Sequence, residues 1–320
     1  MLTFIIRRIL WGILAMAIVI AVTFVLFYVL PTANPAVLRA GRNASPKTIA
    51  YISAELGINK PIYTQFWDYV KNIVFHFNLG YSFYSDAPVR GLIADRLPAT
   101  ISLALGSVFI TLLAGLPVGI ISAIRRRSFF DRISMGTSLV FVSAPTYWLG
   151  LIAIYLFASD IGRFKVFDGS GSYVPLTTNV GHWFGSLIMP WLVLAAGSAA
   201  VYARILRGSL IDVMGEDYIR TARAKGLRER RVIMRHGVRS AITPIVTIVG
   251  LDIGALLGGA VLTETVFDIP GIGRLNYDAI THSDFPIVQG TVLVAALFII
   301  IANIVVDIGY AYLDPRVRPT

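Results

Sequence analysis

The 320-residue sequence contains no cysteine. A disulfide framework, a thiolate nucleophile and a cysteine-based metal site are therefore excluded. A phosphate-binding loop of the Gly-Lys-Ser/Thr type needs a lysine directly after a glycine, and none of the lysines has that neighbour. These lysines are Lys47, Lys60, Lys71, Lys165 and Lys225. We therefore expect that this chain does not itself hydrolyse ATP.

Other catalytic patterns are also missing. The four histidines are scattered, no His-Glu-x-x-His helix occurs, and no serine has glycines two residues to either side. Gly271-Ile272-Gly273 begins like a dinucleotide fingerprint but lacks the third glycine and a preceding strand. The sequence predicts that the chain is not an enzyme and holds no metal or cofactor of its own.

Charged residues are scarce, at 14% of the chain against about 25% in an ordinary soluble domain. Hydrophobic residues make up 56%, and the mean hydropathy is +0.72. The net charge of +10 could indicate nucleic acid, but the basic residues lie mostly in loops beside apolar stretches. We therefore predict a membrane protein in contact with lipid and no nucleic-acid partner.

The apolar residues gather into six stretches, each about as long as a bilayer is thick, which takes roughly 20 helical residues. The composition and these lengths predict an all-α membrane protein with six transmembrane helices. The predicted spans are Ile9–Leu30, Thr100–Ile124, Ile133–Ala158, Leu187–Arg204, Ile242–Leu262 and Ile287–Leu313. Pro145 and Pro190 are expected to interrupt the third and fourth spans.

Basic residues in the loops set the orientation, because cytoplasmic loops carry an excess of lysine and arginine. Residues 125–132 hold four and residues 204–241 hold ten, whereas 159–186 hold two and 264–286 hold one. We therefore place both termini in the cytoplasm. The long segment 31–98 is then external, and long segments cross the membrane largely regardless of their charge.

This external segment is predicted to contain two helices. Ser45-Pro46 is typical of a helix start and Gly57 of its end. A second helix is expected from Pro61 to about Phe75. It carries apolar residues at helical spacing, so one face should pack against another element. These residues are Tyr63, Phe66, Trp67, Val70 and Val74.

In the fifth span, Gly250, Gly254 and Gly258 lie on one helix face, which favours close packing against another helix. Asp252 lies near mid-membrane and points about 200° away from Gly250, at ~100° per residue. Two roles are open for this acid. The first is a structural hydrogen bond to a neighbouring helix, and the second is a place on a translocation path for substrate.

Residues 216–227 have the composition of a short helix within the basic loop 204–241. Acids stand at its start, bases toward its end and a glycine after it, which complements the helix dipole and provides a left-handed cap. Its residues are Glu216, Asp217, Tyr218, Ile219, Arg220, Thr221, Ala222, Arg223, Ala224, Lys225 and Gly226. An ordinary lipid-binding surface helix and a docking element for another protein both fit, and the small residues at 221, 222 and 224 favour docking.

Three separated motifs resemble the dipeptide, oligopeptide and nickel permeases of ATP-binding-cassette importers. The segment 218–227 is similar to the coupling loop of these importers, although Arg220, Thr221 and Ala222 stand where the general pattern has Glu-Ala-Ala. The segments 262–275 and 313–318 agree as well. The resemblance covers essentially the whole chain, including the external insertion found in the first of two such permeases.

This resemblance implies the type I importer permease fold in a bacterial or archaeal cell membrane. It implies a first unit at 1–99, a permease core at 100–313 with its coupling loop at 204–241, and a cytoplasmic tail at 314–320. Implied partners are a second homologous permease, two cytoplasmic ATPase subunits that bind ATP and Mg²⁺, and an external solute-binding protein. The segment 216–226 would couple to an ATPase. The outer loop Thr263–Phe285 and the insertion 31–98 would be the candidates for contact with the binding protein. The candidate contact residues are Glu264, Phe267, Pro270, Gly271 and Gly273.

The resemblance implies uptake of di- or oligopeptides. The same architecture also serves nickel, glutathione or oligosaccharides, and nickel is disfavoured because no histidine cluster lies in the spans. From a different class, a channel or an ion-coupled secondary transporter would also place six spans in the membrane.

Overall fold

The structure is a computed structural model that describes residues 2–30, 34–41 and 44–313. Over these ranges the chain forms helices and two isolated β-bridges, Tyr81 with Pro88 and Ala158 with Phe167. The predicted tail at 314–320, and with it most of the terminal motif, lies outside the described residues.

The membrane helices begin with α1 (Leu2–Phe24), which continues as a π-helical turn over Val25–Val29. The others are α5 (Val89–Ile124), α6 (Phe129–Ser143), α7 (Thr146–Phe157), α8 (Val180–Val213), α12 (Thr243–Leu257) and α15 (Phe285–Leu313). Four helices are long and apolar enough to cross a membrane: Thr3–Val29, Val89–Ile124, Val180–Val213 and Phe285–Gly309. Two bent pairs supply the remaining spans, so the six-span prediction holds when each bent pair is counted as one span.

Shorter helices connect these spans. Before α5 stand α2 (Pro35–Ala40), α3 (Pro46–Glu55) and α4 (Ile62–His76), and after α8 stand α9 (Asp217–Ala224), α10 (Glu229–Arg231) and α11 (Arg239–Ala241). A π-helical stretch, Val232–Val238, joins α10 to α11. Between α12 and α15 lie α13 (Val261–Val266) and α14 (Ile272–Thr281).

The first bent pair corrects the third predicted span. Helices α6 and α7 meet at 104° rather than forming one rod from Ile133 to Ala158. Pro145 stands immediately before α7, and Ala144 is extended because a residue before proline avoids the helical region. The predicted break at Pro145 is therefore confirmed. The predicted break at Pro190 is wrong, since α8 runs through it.

The boundaries of the second and fifth spans also differ from the prediction. Helix α5 begins at Val89 rather than Thr100 and continues through Pro98, so the proposed division at residues 99 and 100 lies inside a helix. Helix α12 ends at Leu257 rather than Leu262, because Gly258 and Gly259 follow. Gly259 has φ +116°, a conformation that side chains rarely adopt. Helix α12 also meets the helical segment 229–241 at 49°.

Helices α3 and α4 begin as predicted. The Ser45 hydroxyl accepts a hydrogen bond from the Thr48 amide at 3.2 Å, and Gly57 has φ +69°. The packed face of α4 is different from the expected one. Phe66 and Tyr69 contact the ring of Phe24 on α1, with centroids 5.1 and 5.7 Å apart, while Tyr63 and Trp67 stay exposed.

Helix α5 lies along α8 at the centre of the fold, and α12 lies along α15. Close approach at the centre depends on glycine: a side-chain carbon on Gly119 would lie 2.8 Å from the Ala203 carbonyl oxygen. Tyr202, Leu206 and Leu210 on α8 are buried there with Ile245 of α12. Because α9 is the next helix after α8 in the chain, this core lies close to the candidate coupling segment.

Candidate functional site

Helix α9 forms as the sequence predicts. It covers Asp217–Ala224, with Glu216 in an extended conformation before it and Gly226 at φ +75° after it. The Gly226 amide donates to Arg223 O at 2.9 Å, and the Leu227 amide donates to Ala222 O at 3.4 Å. The predicted left-handed cap at Gly226 is confirmed. Such a cap satisfies carbonyls at the helix end and turns the chain away.

One face of α9 is anchored to the chain itself. Ile219 and Ala222 are buried against Val232, with Met214 and Leu227 around them. Ala222 therefore packs inside the chain. The sequence pattern instead placed it among the small residues of a docking surface. The opposite face is exposed at Asp217, Tyr218, Arg220, Thr221, Ala224 and Lys225. The structure thus presents an anchored helix with one free face, which a docking element requires.

An ion pair that the sequence did not reveal ties α9 to α10. Arg223 Nη2 lies 2.7 Å from Glu229 Oε1, and its Nε lies 3.2 Å from Oε2. Both side chains are substantially exposed, so the pair contributes about 1 kcal/mol or less. Its bidentate geometry links α9 to the start of the helical segment that leads to α12.

A second unforeseen ion pair lies at the last turns of α8. Arg207 donates from Nε to Asp131 Oδ1 at 2.6 Å and from Nη2 to Oδ2 at 2.8 Å. Asp131 is buried and also accepts from the Arg127 amide at 2.8 Å. This pair joins the start of α6 to the part of α8 that precedes α9. Contacts within the chain therefore link the α8–α9 region to α6 and, through α10, to the segment before α12.

The glycine face of α12 packs as predicted. A side-chain carbon on Gly254 would lie 2.9 Å from Ala302 Cβ, and one on Gly258 would lie 3.0 Å from Ala295 Cβ. A side-chain carbon on Gly250 would collide with Val306. All three partners are on α15, so the small-residue face holds these two helices together.

Asp252 points away from that face and meets α8. The Tyr202 hydroxyl donates to Asp252 Oδ2 at 2.8 Å. The predicted hydrogen bond between helices is therefore confirmed. A role for Asp252 on the translocation path stays a prediction.

The loop residues predicted to touch a binding protein are largely buried inside the chain. Glu264 has an exposure of 0%, and Phe267, Gly271 and Gly273 are buried as well, whereas Pro270 is half-buried. Glu264 Oε1 accepts from the Thr100 hydroxyl at 3.0 Å, and Oε2 accepts from the Arg274 amide at 2.9 Å. The Thr100 hydroxyl in turn accepts from the Ile272 amide at 2.8 Å.

These contacts make Glu264 the centre of a compact unit that connects α5, α13 and α14. A methyl group on Gly271 would overlap the Glu264 carboxylate, which explains the glycine there. Burial raises the pKa of the Glu264 carboxyl, against the hydrogen bonds from Arg274 and Thr100 that lower it. Contact with a binding protein stays a prediction. In this conformation the exposed loop side chains include Leu262, Thr265 and Asp268.

Metal ligands do not gather in the described part of the chain. No group of three or more His, Cys, Asp or Glu residues there could hold an ion.

Comparison with protein families matches two parts of the chain. Residues 115–319 match the model described as binding-protein-dependent transport system inner membrane component. Residues 1–104 match the N-terminal model of the same transport systems. Together these matches cover both the segment 31–98 and the helical core.

Relatives of nearly full length agree. A protein of Brucella abortus (strain 2308), named as a permease protein of a peptide transport system, is 41% identical over 314 residues, or 98% of each chain. The glutathione transport system permease protein GsiC of Escherichia coli (strain K12) is 38% identical over 318 residues, or 99% of each chain.

A solved structure shares the fold. The inward-facing MetNI methionine ABC transporter contains a chain that superposes with a TM-score of 0.52. The match has 18% sequence identity and covers 70% of this chain and 97% of that one. At this identity the likeness concerns the fold alone.

Proposed function

The chain belongs to the family of inner membrane components of binding-protein-dependent transport systems, and from that premise we propose that it forms half of a translocation pathway for peptides. It is a multi-pass cell membrane protein with the fold of an importer permease. The peptide assignment rests on the relative named for peptide transport, which aligns over 98% of both chains. Glutathione, itself a small peptide, is the second candidate because of the relative named for it.

The observation that carries the mechanism is the free face of α9. Its buried face is fixed by Ile219 and Ala222, and its ends connect directly to α8 and to the helices leading into α12. A cytoplasmic ATPase subunit that presses on the exposed residues would move α8 and α12 together. The Arg207–Asp131 ion pair would carry the same movement to α6. Two arrangements of these helices would then open the pathway to alternate sides.

The assembly required for this mechanism includes a second homologous permease, two ATPase subunits or domains and an external solute-binding protein. ATP and Mg²⁺ would bind to the ATPase subunits, and this chain would hold no cofactor. Binding-protein docking and ATP binding would each favour the same outward-open state. By linkage, each would then strengthen the other.

Transport measurements test the function. Vesicles containing the chain, its partner permease and the ATPase subunits should accumulate a labelled tripeptide only when ATP and the binding protein are supplied. Removal of either component should lower uptake at least tenfold, because the proposed mechanism takes its driving force from ATP and its substrate from the binding protein. In the same vesicles, Asp252→Asn should lower uptake without loss of assembly if Asp252 lines the path.

Three outcomes would change the assignment. Tripeptide flux through the chain without ATPase subunits would indicate a channel or a secondary transporter. Uptake of glutathione but not of other peptides would narrow the substrate class. Uptake of nickel or an oligosaccharide but no peptide would retain the permease role and contradict the peptide proposal.

The cytoplasmic position of both termini is part of this proposal and has its own test. The chain has no native cysteine, so single cysteines report their side directly. Asn59→Cys and Lys225→Cys both replace exposed residues. An impermeant maleimide should label Asn59→Cys in intact cells but Lys225→Cys only after permeabilisation, with the unsubstituted chain as the blank. The opposite labelling pattern would show that both termini lie on the external side of the membrane.

A further inference from the structure

A cavity of about 410 Å³ lies between the external helices and the outer ends of α1 and α15. The α1 side contributes Phe27 and Tyr28, and the α15 side contributes Phe285. Helix α4 contributes Tyr69, so the walls are strongly aromatic. The coupling segment α9 and the glycine face of α12 are not among its lining residues, whereas Tyr69 both lines it and packs against Phe24.

Among the residues that the structure describes, the rim of the cavity carries side chains of both charges. Arg39 Nη1 lies 3.1 Å from Glu55 Oε1, and Lys60 Nζ lies 2.8 Å from Asp68 Oδ2. All four side chains line the cavity. A purely anionic ligand would meet two carboxylates there, and a purely cationic one would meet two basic groups. The rim therefore suits a ligand with one group of each charge.

The buried wall of the cavity contains an unused hydrogen-bond donor. Gln289, in the first turn of α15, is only 6% exposed, and its Nε2 has no hydrogen-bond partner among the described residues. A buried donor without an acceptor is unfavourable. The cavity therefore offers this donor to an acceptor that enters it.

The surroundings of the cavity are apolar. Leu26, Val29 and Leu30, next to the lining residues of α1, are exposed. On α4, Tyr63 and Trp67 are exposed beside the face that lines the cavity, and these residue types are enriched where membrane meets water. A ligand held in the cavity could thus have apolar chains along α1.

We propose that this cavity binds the zwitterionic headgroup of an outer-leaflet phospholipid that carries an ammonium and a phosphate. The phosphate would accept from Gln289 and lie near Arg39 and Lys60. The ammonium would lie against the aromatic walls and the carboxylates of Glu55 and Asp68, since aromatic faces attract cations. The acyl chains would cover the exposed outer end of α1.

Binding of defined lipids to the purified importer complex in detergent tests this proposal, and its outcome does not depend on the transported substrate. Native mass spectrometry with phosphatidylethanolamine and phosphatidylglycerol of matched chains should show about tenfold tighter binding of the first. Gln289→Leu and Lys60→Gln should each remove most of that preference. Lys71→Gln, an exposed lysine on α4 outside the cavity, is the matched control and should retain it.

Further variants and competitors keep the result decisive. Gln289→Glu preserves shape but replaces the donor with an acceptor, and it should weaken phosphatidylethanolamine at least fivefold in a complex that assembles normally. Equal binding of the two lipids, unaffected by the variants, would show only annular lipid and overturn the proposal. Displacement by a tripeptide, or equally tight binding of free phosphoethanolamine, would identify a soluble zwitterion as the occupant and also overturn it.

Discussion

Replacement of Gly226 by valine should abolish the stimulation of ATP hydrolysis by substrate-loaded binding protein, and should abolish uptake with it. Gly226 has φ +75°, and a β-branched residue in that conformation costs roughly 1–2 kcal/mol or more. The turn after α9 would therefore rearrange. Because Arg223–Glu229 and the Ile219 contacts depend on that turn, the docking face would lose its orientation.

The space around Gly226 allows backbone strain to be distinguished from steric obstruction of a partner subunit. A side-chain carbon at this position meets nothing within 4 Å in the described chain, so a side chain there has room unless a partner subunit fills the space. Asparagine adopts the left-handed conformation more readily than valine. Gly226→Asn should therefore retain coupling if strain is the cause, and should lose it if the ATPase surface approaches the backbone closely.

Gly41→Val is the matched control. Gly41 has φ +83° and likewise has nothing within 4 Å of its side-chain position, but it belongs to the segment 31–98. Its ψ of 157° is open essentially only to glycine, so a valine there should be at least as strained and should leave ATPase stimulation unchanged. ATPase rates of reconstituted complexes, with and without binding protein, provide the measurement. Normal stimulation in well-assembled Gly226→Val complexes would mean that α9 is a membrane-surface helix only.

The local features of α9 were predictable because they depend on residues close in sequence. Acids before the helix, bases toward its end and Gly226 after it determine where it starts and stops. The same reasoning placed the start of α3 at Ser45-Pro46 and the packed glycine face on α12. It also required a partner for Asp252, because a buried carboxylate without one is costly.

Features that depend on residues far apart were not predictable. Arg207 pairs with Asp131 across 76 positions, and Thr100 meets Glu264 across 164. Nothing local marks either pair, since Arg207 is one of ten basic residues in its region. Proline shows the same limit: Pro145 separates two helices at 104°, whereas Pro190 lies within a continuous one. The difference depends on what surrounds each proline in the folded bundle.

Replacement of Glu264 by alanine should destabilise the chain by roughly 3 kcal/mol. The Arg274 amide would lose its buried acceptor, and the Thr100 hydroxyl would lose one as well, each at about 1–3 kcal/mol. Urea unfolding of the purified complex in micelles, followed by tryptophan fluorescence, measures the change. Thr265→Ala, on the exposed side of the same helix, is the control and should stay within about 0.5 kcal/mol.

The Glu264 carboxyl group should make the stability of the folded chain depend on pH in a defined direction. Its pKa is raised in the folded chain, chiefly by burial, so the folded state binds the proton more tightly than the unfolded state. The stabilising contribution is complete below the unfolded pKa and is lost as pH rises through the folded pKa. Glu264→Gln should remove this part of the pH dependence. If the slope of the unfolding free energy against pH stayed the same in Glu264→Gln, the pH dependence would belong to other groups.

The overlap between Gly271 and Glu264 provides the sharpest test of this unit. Gly271→Ala alone should cost about 1–3 kcal/mol, because its methyl group would meet the Glu264 carboxylate. In the double variant Glu264→Ala/Gly271→Ala, the methyl group would enter the space that the carboxylate leaves. The double variant should therefore lose less stability than the sum of the two single variants, by roughly 1 kcal/mol or more. Strict additivity would show that the two residues do not touch, and that the outer loop is held to α5 by contacts other than Glu264.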